Sequence, residues 1–150
     1  MIVKETHGTT SAFINGIFQR VIWVLGEPVL VCVLEQNGLY VEFTCRQPTM
    51  ERFLGALFIT KRILGLDQNI VDFYNKFKND PVIGTTVKKA KGISIPTIPD
   101  LMECTVWAII GQQTTISSTT TLFNILTKTY GILERFGKYA LYLFPQAKEV

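Results

Sequence analysis

With 150 residues the chain has the length of one domain or two small lobes. Hydrophobic residues make up 47% and charged residues 18%, which excludes intrinsic disorder and leaves material for a core. The formal net charge of +3 permits a nucleic-acid partner without demanding one. Mean hydropathy is high at +0.25, yet the longest apolar runs, Pro28–Leu34 and Phe53–Ile59, are far shorter than the roughly 20 residues of a membrane-spanning helix. The start, Met1-Ile2-Val3-Lys4-Glu5, has no apolar core of a signal peptide. An intracellular, reducing setting is expected from three cysteines, Cys32, Cys45 and Cys104, that lack metal-ligand spacing. All three are expected as buried apolar filler.

In chain order, Met1–Ser11 reads as a polar leader with little order, and it holds the sole histidine, His7. A histidine without nearby partners serves neither metal nor triad chemistry, so no metal site is expected. Arg20–Leu25 is a β-rich run stopped by Gly26. Pro28–Gln36 and Leu39–Arg46 flank Asn37-Gly38, a strong hairpin signal. A two-residue turn there sets Gln36 opposite Leu39 and Cys32 opposite Phe43. Leu30, Cys32, Leu34, Leu39, Val41, Phe43 and Cys45 then share one face, with Cys45 diagonal to Cys32 and beyond easy disulfide reach.

Helical spacing begins after Pro48-Thr49, an N-cap, through Met50, Phe53, Leu54, Leu57 and Phe58. This helix is expected to cover the sheet. Leu64-Gly65-Leu66-Asp67 ends it, with Asp67 capping the next helix, whose stripe is Ile70, Phe73, Tyr74 and Phe77. Asn79-Asp80-Pro81 stops that one, and a third helix is expected over Val82–Lys91, followed by the loop Ile93–Pro99. Asp100 and Glu103 have the spacing of a capping box at the start of a fourth helix, Leu101–Ile110. Being apolar almost all round, that helix is expected to be buried on most sides. A fifth runs from Ile116 to Tyr130 with Gly131 just past its end. Ile132–Val150 carries a moderate helical pattern through Phe136, Tyr139, Ala140 and Leu143. Strands first and helices second make an α+β fold.

No phosphate-loop, serine-nucleophile, zinc or calcium motif occurs. The unusual feature is Gly111-Gln112-Gln113-Thr114-Thr115, which joins an apolar helix to one whose first turns are rich in hydroxyls. Gln112 and Gln113 are costly to bury, so the loop should face solvent or a specific partner. Thr114 and Thr115 sit at a helix start that either caps itself or holds a phosphate. Lys88, Lys89 and Lys91, with Lys76 and Lys78, form a basic patch suited to phosphates or to a solvated face.

Several segments together resemble the 3-methyladenine DNA glycosylases of the helix-hairpin-helix superfamily. They are Arg62–Asp67, Phe73-Tyr74, Asp80-Pro81-Val82, Ile98–Glu103, Ala108-Ile109-Ile110-Gly111-Gln112-Gln113, and Leu122 through Tyr130-Gly131. The resemblance runs from about residue 62 to 144, and Ala108–Gln113 is its most specific part. Over residues 12–61 it is looser and matches an N-terminal antiparallel sheet lobe shaped like half of the TATA-binding protein. Phe18-Gln19-Arg20 is similar to the 8-oxoguanine glycosylases.

The resemblance implies residues 1–66 as the sheet lobe with one packing helix and residues 67–150 as part of an all-helical glycosylase domain. It implies base excision repair, in which an alkylated or oxidised base is flipped from double-stranded DNA and its glycosidic bond hydrolysed without a cofactor. The side chain wedged into the duplex falls at Gln113, where some relatives carry leucine. Gln112, Gln113, Thr114, Thr115, Lys88 and Lys89 are the implied DNA-contacting residues. The family's hairpin and catalytic aspartate match nothing in residues 1–150, so no catalytic residue is assigned. An N-terminal glycosylase portion, inactive alone and nucleoid-associated, is the resulting expectation. Its open apolar surface would lead to self-association or to a complementing C-terminal half. The alternative is a non-catalytic DNA-binding or protein-interaction module built on the same scaffold.

Overall fold

The computed structural model describes residues 6, 7, 9–90 and 92–146. Its elements are β1 (Thr6–His7), β2 (Ser11–Ile14), β3 (Ile17–Val24), β4 (Glu27–Glu35), β5 (Leu39–Cys45), α1 (Met50–Ile63), α2 (Ile70–Phe77), α3 (Gly84–Lys89), α4 (Leu101–Ile110), α5 (Ile116–Tyr130), β6 (Ile132–Phe136) and β7 (Tyr139–Leu143). Strands β1 to β5 form one antiparallel sheet in sequence order, and β6 pairs with β7 as a separate hairpin. The chain divides into two compact units, residues 1–57 with 100–150, and residues 58–99. The α+β class expected from sequence is present.

The hairpin at Asn37-Gly38 forms, with a register one residue away from the expected one. Glu35, not Gln36, faces Leu39, and Cys32 faces Glu42. The turn takes three residues because Gln36 N–H donates to the Gly38 carbonyl at 3.0 Å while Asn37 and Gly38 adopt φ of 52° and 151°. A one-residue slip moves every side chain of a strand to the other face. The shared face is therefore Val29, Val31, Val33, Val41, Phe43 and Cys45. Cys32 points the opposite way from Cys45, which excludes their pairing more firmly than distance does.

α1 covers the sheet, as expected, but on the Val29, Val31 and Val33 side of β4 and not on the expected Leu30, Cys32 and Leu34 side. The Thr49 hydroxyl caps it by accepting from Arg52 N–H at 3.2 Å, and the Phe53 ring meets Phe43 edge-on at 5.6 Å. Ala56, on the same side, is fully buried.

The opposite face is also buried. Leu30, Cys32, Val21 and Ala12 form a cluster with Leu141 and Leu143. Those last residues belong to β7, so the helical pattern read over Ile132–Val150 is corrected to a hairpin. The apolar spacing 136, 139, 140, 143 fits a helix, but the alternation of Leu141 and Leu143 about a Gly137-Lys138 turn prevails. Residues 147–150 lie outside the described residues. Coverage on both faces explains why Pro28–Val33 is a continuous apolar run and not an alternating one.

Other expectations need correction. Thr6–His7 pairs with Ala12–Phe13, and Thr9 and Thr10 are buried, so this part of the leader is ordered. The His7 side chain and residues 1–5 and 8 lie outside the described residues. Asn69, not Asp67, precedes α2, and its side chain makes no cap bond there. The third helix is shorter than expected, and Lys91 lies outside the described residues. Gly131 is not left-handed; a Cβ there would collide with the carbonyl oxygens of Thr127 and Leu143, so close approach of α5 to β7 is what requires glycine. Cys32 is buried as expected, and burial, then the nearby Glu42 charge, push its thiol pKa up. Cys45 is half-buried and Cys104 exposed, so Cys104 is not filler.

Candidate nucleic-acid interface

The loop Gly111–Thr115 hangs between α4 and α5, and both helices are fixed by specific bonds. Asp100 Oδ1 accepts from Glu103 N–H at 2.7 Å, as the capping spacing implied. The reciprocal half of the box is not made. The Glu103 carboxylate turns instead into the protein, where Oε2 takes Arg20 Nη2 at 2.6 Å and Oε1 lies 3.4 Å from the Thr10 hydroxyl. Both side chains of this ion pair are about nine-tenths buried, at 10% and 6% exposure. Sequence alone did not disclose the pair; the lone acid in an apolar helix and the lone arginine in an apolar strand were the available signal.

α4 and α5 meet through Trp107 and Phe123, whose rings pack edge-on at 5.2 Å, and Phe123 stacks on Phe144 at 5.1 Å. Glu103 is the one buried residue of α4, and Trp107, one turn on along the same side, is half-buried. The expectation that the helix is buried on most sides is corrected: Leu101 is 81% exposed and Ile109 60%. On α5 the outward Leu122 and Ile125 are likewise open, as is Ile116 in the first turn.

Gln112, Gln113, Thr114 and Thr115 are all exposed and stand together on the loop. Gly111 N–H closes the last turn of α4 on the Trp107 carbonyl at 2.9 Å, and Gln112 N–H follows onto Ile109 at 3.2 Å. Gln113 then adopts φ of 56°, a left-handed conformation uncommon for a residue with a Cβ. Asn15, Leu25 and Asn37 share this sign of φ at the hairpin turns, at 51°, 50° and 52°, so it marks Gly111–Thr115 as a tight turn. The side-chain amides of Gln112 and Gln113 meet no protein partner among the described residues.

The two threonines are spent on the loop itself. Thr114 Oγ1 donates to the Ile110 carbonyl at 3.0 Å and lies 2.8 Å from Thr119 Oγ1. Thr115 Oγ1 accepts from Ser118 N–H at 3.2 Å and so caps α5. Their role is to shape the loop, while the two glutamines project from it.

Lys88 and Lys89 are exposed in the last turn of α3, in the other compact unit. In that unit the stripe of Ile70, Phe73 and Tyr74 does not close into a core. With Ile83, Val87 and Ile93 it lines an open apolar cleft of about 510 Å³. The Tyr74 hydroxyl reaches the carbonyls of Ala90 at 2.6 Å and Ile93 at 3.1 Å, which ties the segment after α3 to α2.

The described carboxylates hold structural positions in several cases. Asp100 caps α4, Glu103 pairs with Arg20, Glu134 pairs with Arg46 at 2.7 Å, and Asp80 Oδ1 receives Val82 and Ile83 N–H at 2.8 and 3.0 Å. No group of three or more His, Cys, Asp or Glu side chains gathers as a metal site among the described residues. No described helix is long and apolar enough to cross a membrane.

No family model matches the chain. A DNA-3-methyladenine glycosylase of Bacillus subtilis is 26% identical over 142 residues, covering 91% of this chain and 46% of that protein. In structure, the chain is similar to a 3-methyladenine DNA-glycosylase from Archaeoglobus fulgidus, with a TM-score of 0.79 and 20% identity over 91% of this chain and 47% of that one. It is also similar to a Clostridium acetobutylicum 8-oxoguanine glycosylase/lyase, solved with double-stranded DNA containing cytosine opposite 8-oxoG. There the TM-score is 0.64 and identity 18%, over 88% of this chain and 42% of that one. The resemblance read from the residues thus holds in sequence and in fold. The chain spans about half the length of the relatives it matches.

Proposed function

We propose that these residues are the N-terminal portion of a DNA repair N-glycosylase of base excision repair, working on double-stranded DNA with an alkylated or oxidised base inside the cell. The placement of Gln113 carries this reading: an exposed glutamine, beside Gln112, in the tight turn between two capped helices. A glutamine so placed fills the space left by a flipped nucleotide and offers its amide to the orphaned base. Gln112 flanks it, and Thr114 and Thr115 keep the loop in shape. Lys88 and Lys89 supply phosphate contacts that add affinity without sequence preference. In this division of labour the sheet with its β6–β7 cover is a frame, and the DNA contacts come from the Gly111–Thr115 loop and from α3.

Cleavage of the glycosidic bond is assigned to residues outside these 150. The acids of the Arg20–Glu103 pair, the α4 cap and the Asp80 turn are committed to holding the fold. The competing reading is a DNA-binding module without a catalytic half.

Binding to duplexes with and without an abasic site, followed by fluorescence anisotropy, tests the proposal. Gln113→Ala weakens binding to the abasic duplex by about tenfold, equivalent to ~1.4 kcal/mol, and leaves intact duplex nearly unaffected. Equal loss on both duplexes removes the wedge. The Lys88→Gln, Lys89→Gln double variant weakens both duplexes alike and lowers the slope of log affinity against log salt by about 2.

A further inference from the structure

Helix α4 carries little that tells it which way to face. Between Leu101 and Gly111, Glu103 is the one charged residue. The other polar side chain, Thr105, commits its hydroxyl to the Leu101 carbonyl at 2.7 Å. Every remaining position is apolar, so hydrophobic burial holds the helix down without fixing its rotation. A shift by one residue turns a helix by about 100°. Gly111 and Gln112 continue its last turn through bonds to Trp107 and Ile109, so any rotation of α4 is passed on to the Gly111–Thr115 loop.

One polar contact removes that freedom. Glu103 is the buried residue of α4, and its Oε2 receives Arg20 Nη2 from β3, the central strand of the sheet, at 2.6 Å. Any other rotation parts the carboxylate from the arginine and leaves the guanidinium buried alone, which is costly. The inward ring of Trp107 does not discriminate in this way, because an apolar neighbour can take its place against Phe123. As a source of stability the pair is poorly built. It desolvates two charges, and the buried Arg20 Nε has no partner among the described residues. Its strength is in admitting one orientation, the use for which buried polar groups are best attested.

We infer that Arg20 and Glu103 are positioning residues for DNA binding: their buried pair fixes the rotation of α4 and so the direction in which Gln112 and Gln113 project. The loop begins roughly 12 Å from Glu103 along the helix axis, so the pair acts through the helix and does not touch DNA. The inference rests on the reading of Gln113 as the side chain that enters the duplex.

Cys104 is exposed and follows Glu103 in the chain, so its labelling by a maleimide reads the rotation of α4 without DNA, with buried Cys32 as internal reference. Three quantities are compared: the urea midpoint, the Cys104 labelling rate by mass spectrometry, and the preference for abasic over intact duplex by anisotropy. Arg20→Met with Glu103→Leu keeps the midpoint near that of the native chain. Cys104 then labels about threefold more slowly, as it exchanges places with residue 103, and the abasic preference falls about tenfold. Arg20→Lys keeps a cation opposite Glu103 and gives the reverse pattern. Its midpoint drops, while labelling and abasic preference stay within about twofold of native. A purely structural role moves binding in step with the midpoint and cannot produce this crossed result. Native labelling or a native abasic preference in the double variant overturns the inference. If the double variant does not fold, Arg20→Lys decides: an abasic preference lost in step with its midpoint overturns the inference, and one retained upholds it. Gln113→Ala, measured alongside, separates the two readings. If it spares the abasic preference the wedge is lost, and slowed Cys104 labelling in the double variant still upholds the fixing of α4 by the pair.

Discussion

The unit of residues 1–57 with 100–150 and the unit of residues 58–99 use the same kinds of residue to opposite ends. In the first, apolar runs become an interior: Val29, Leu30 and Val31 are at most 1% exposed, with α1 on one side of the sheet and the β6–β7 hairpin on the other. In the second, α2 has the cleanest apolar stripe in the chain and buries none of its residues. Periodicity shows that a face is meant to be covered, and it says nothing about whether the cover lies in the same residues. The core of the first unit is therefore a folding device, while the stripe of the second lines an open cleft.

The contrast is broken most directly at the ion pair. Glu103→Ala leaves the Arg20 guanidinium buried without its partner, and such losses cost about 3–5 kcal/mol. Urea unfolding of this variant shows a large drop in midpoint. Arg46→Ala leaves the Glu134 carboxylate, 9% exposed, without its partner, and costs less than Glu103→Ala because the arginine side of this pair, 64% exposed, opens to water. Replacing both partners, Arg20→Met with Glu103→Leu, recovers most of the loss. If Glu103→Ala and Arg46→Ala prove equal, the first unit is not held as described.

A second pair of variants sharpens the comparison between units. Leu30→Ala empties space in a two-sided core and costs about 2–5 kcal/mol. Phe73→Ala, at a side chain 48% exposed in the apolar cleft, costs less than about 1 kcal/mol. A large loss for Phe73→Ala shows that the cleft is already closed in solution.

How far the sequence was legible follows the same division. Helix boundaries marked by caps were readable to within a residue or two, since Thr49, Asp100 and Thr115 act through bonds to their immediate neighbours. The register of β4 against β5 was not, because one additional turn residue at Gln36 flips every side chain and leaves the composition untouched. The β6–β7 hairpin was misread because five-residue strands carry too little alternation to outweigh a chance helical spacing. For the candidate site, Gly111–Thr115 stood out as a polar break in an apolar stretch. Its tight turn at Gln113 and the Arg20–Glu103 anchor depend on backbone angles and on residues 83 positions apart, which no local pattern encodes.

The smallest effect is expected at Asp80, in the second unit. Its carboxylate receives the N–H groups of Ile83 and Val82, and those bonds hold its pKa below the ordinary value. A carboxylate whose pKa is lowered by folding adds stability above its unfolded pKa, about 3.9, and that contribution disappears as the pH falls through the lower folded value. The turn before α3 should thus hold at pH 5 and loosen only in stronger acid. The amide resonances of Val82 and Ile83 then titrate together with a midpoint below about 3.9. Asp80→Asn abolishes that titration. Because Asp80 is solvent-accessible, the midpoint of global unfolding at neutral pH stays where it was. A titration at the ordinary aspartate value would show that the turn is open in solution, and with it the α2–α3 connection on which the cleft depends.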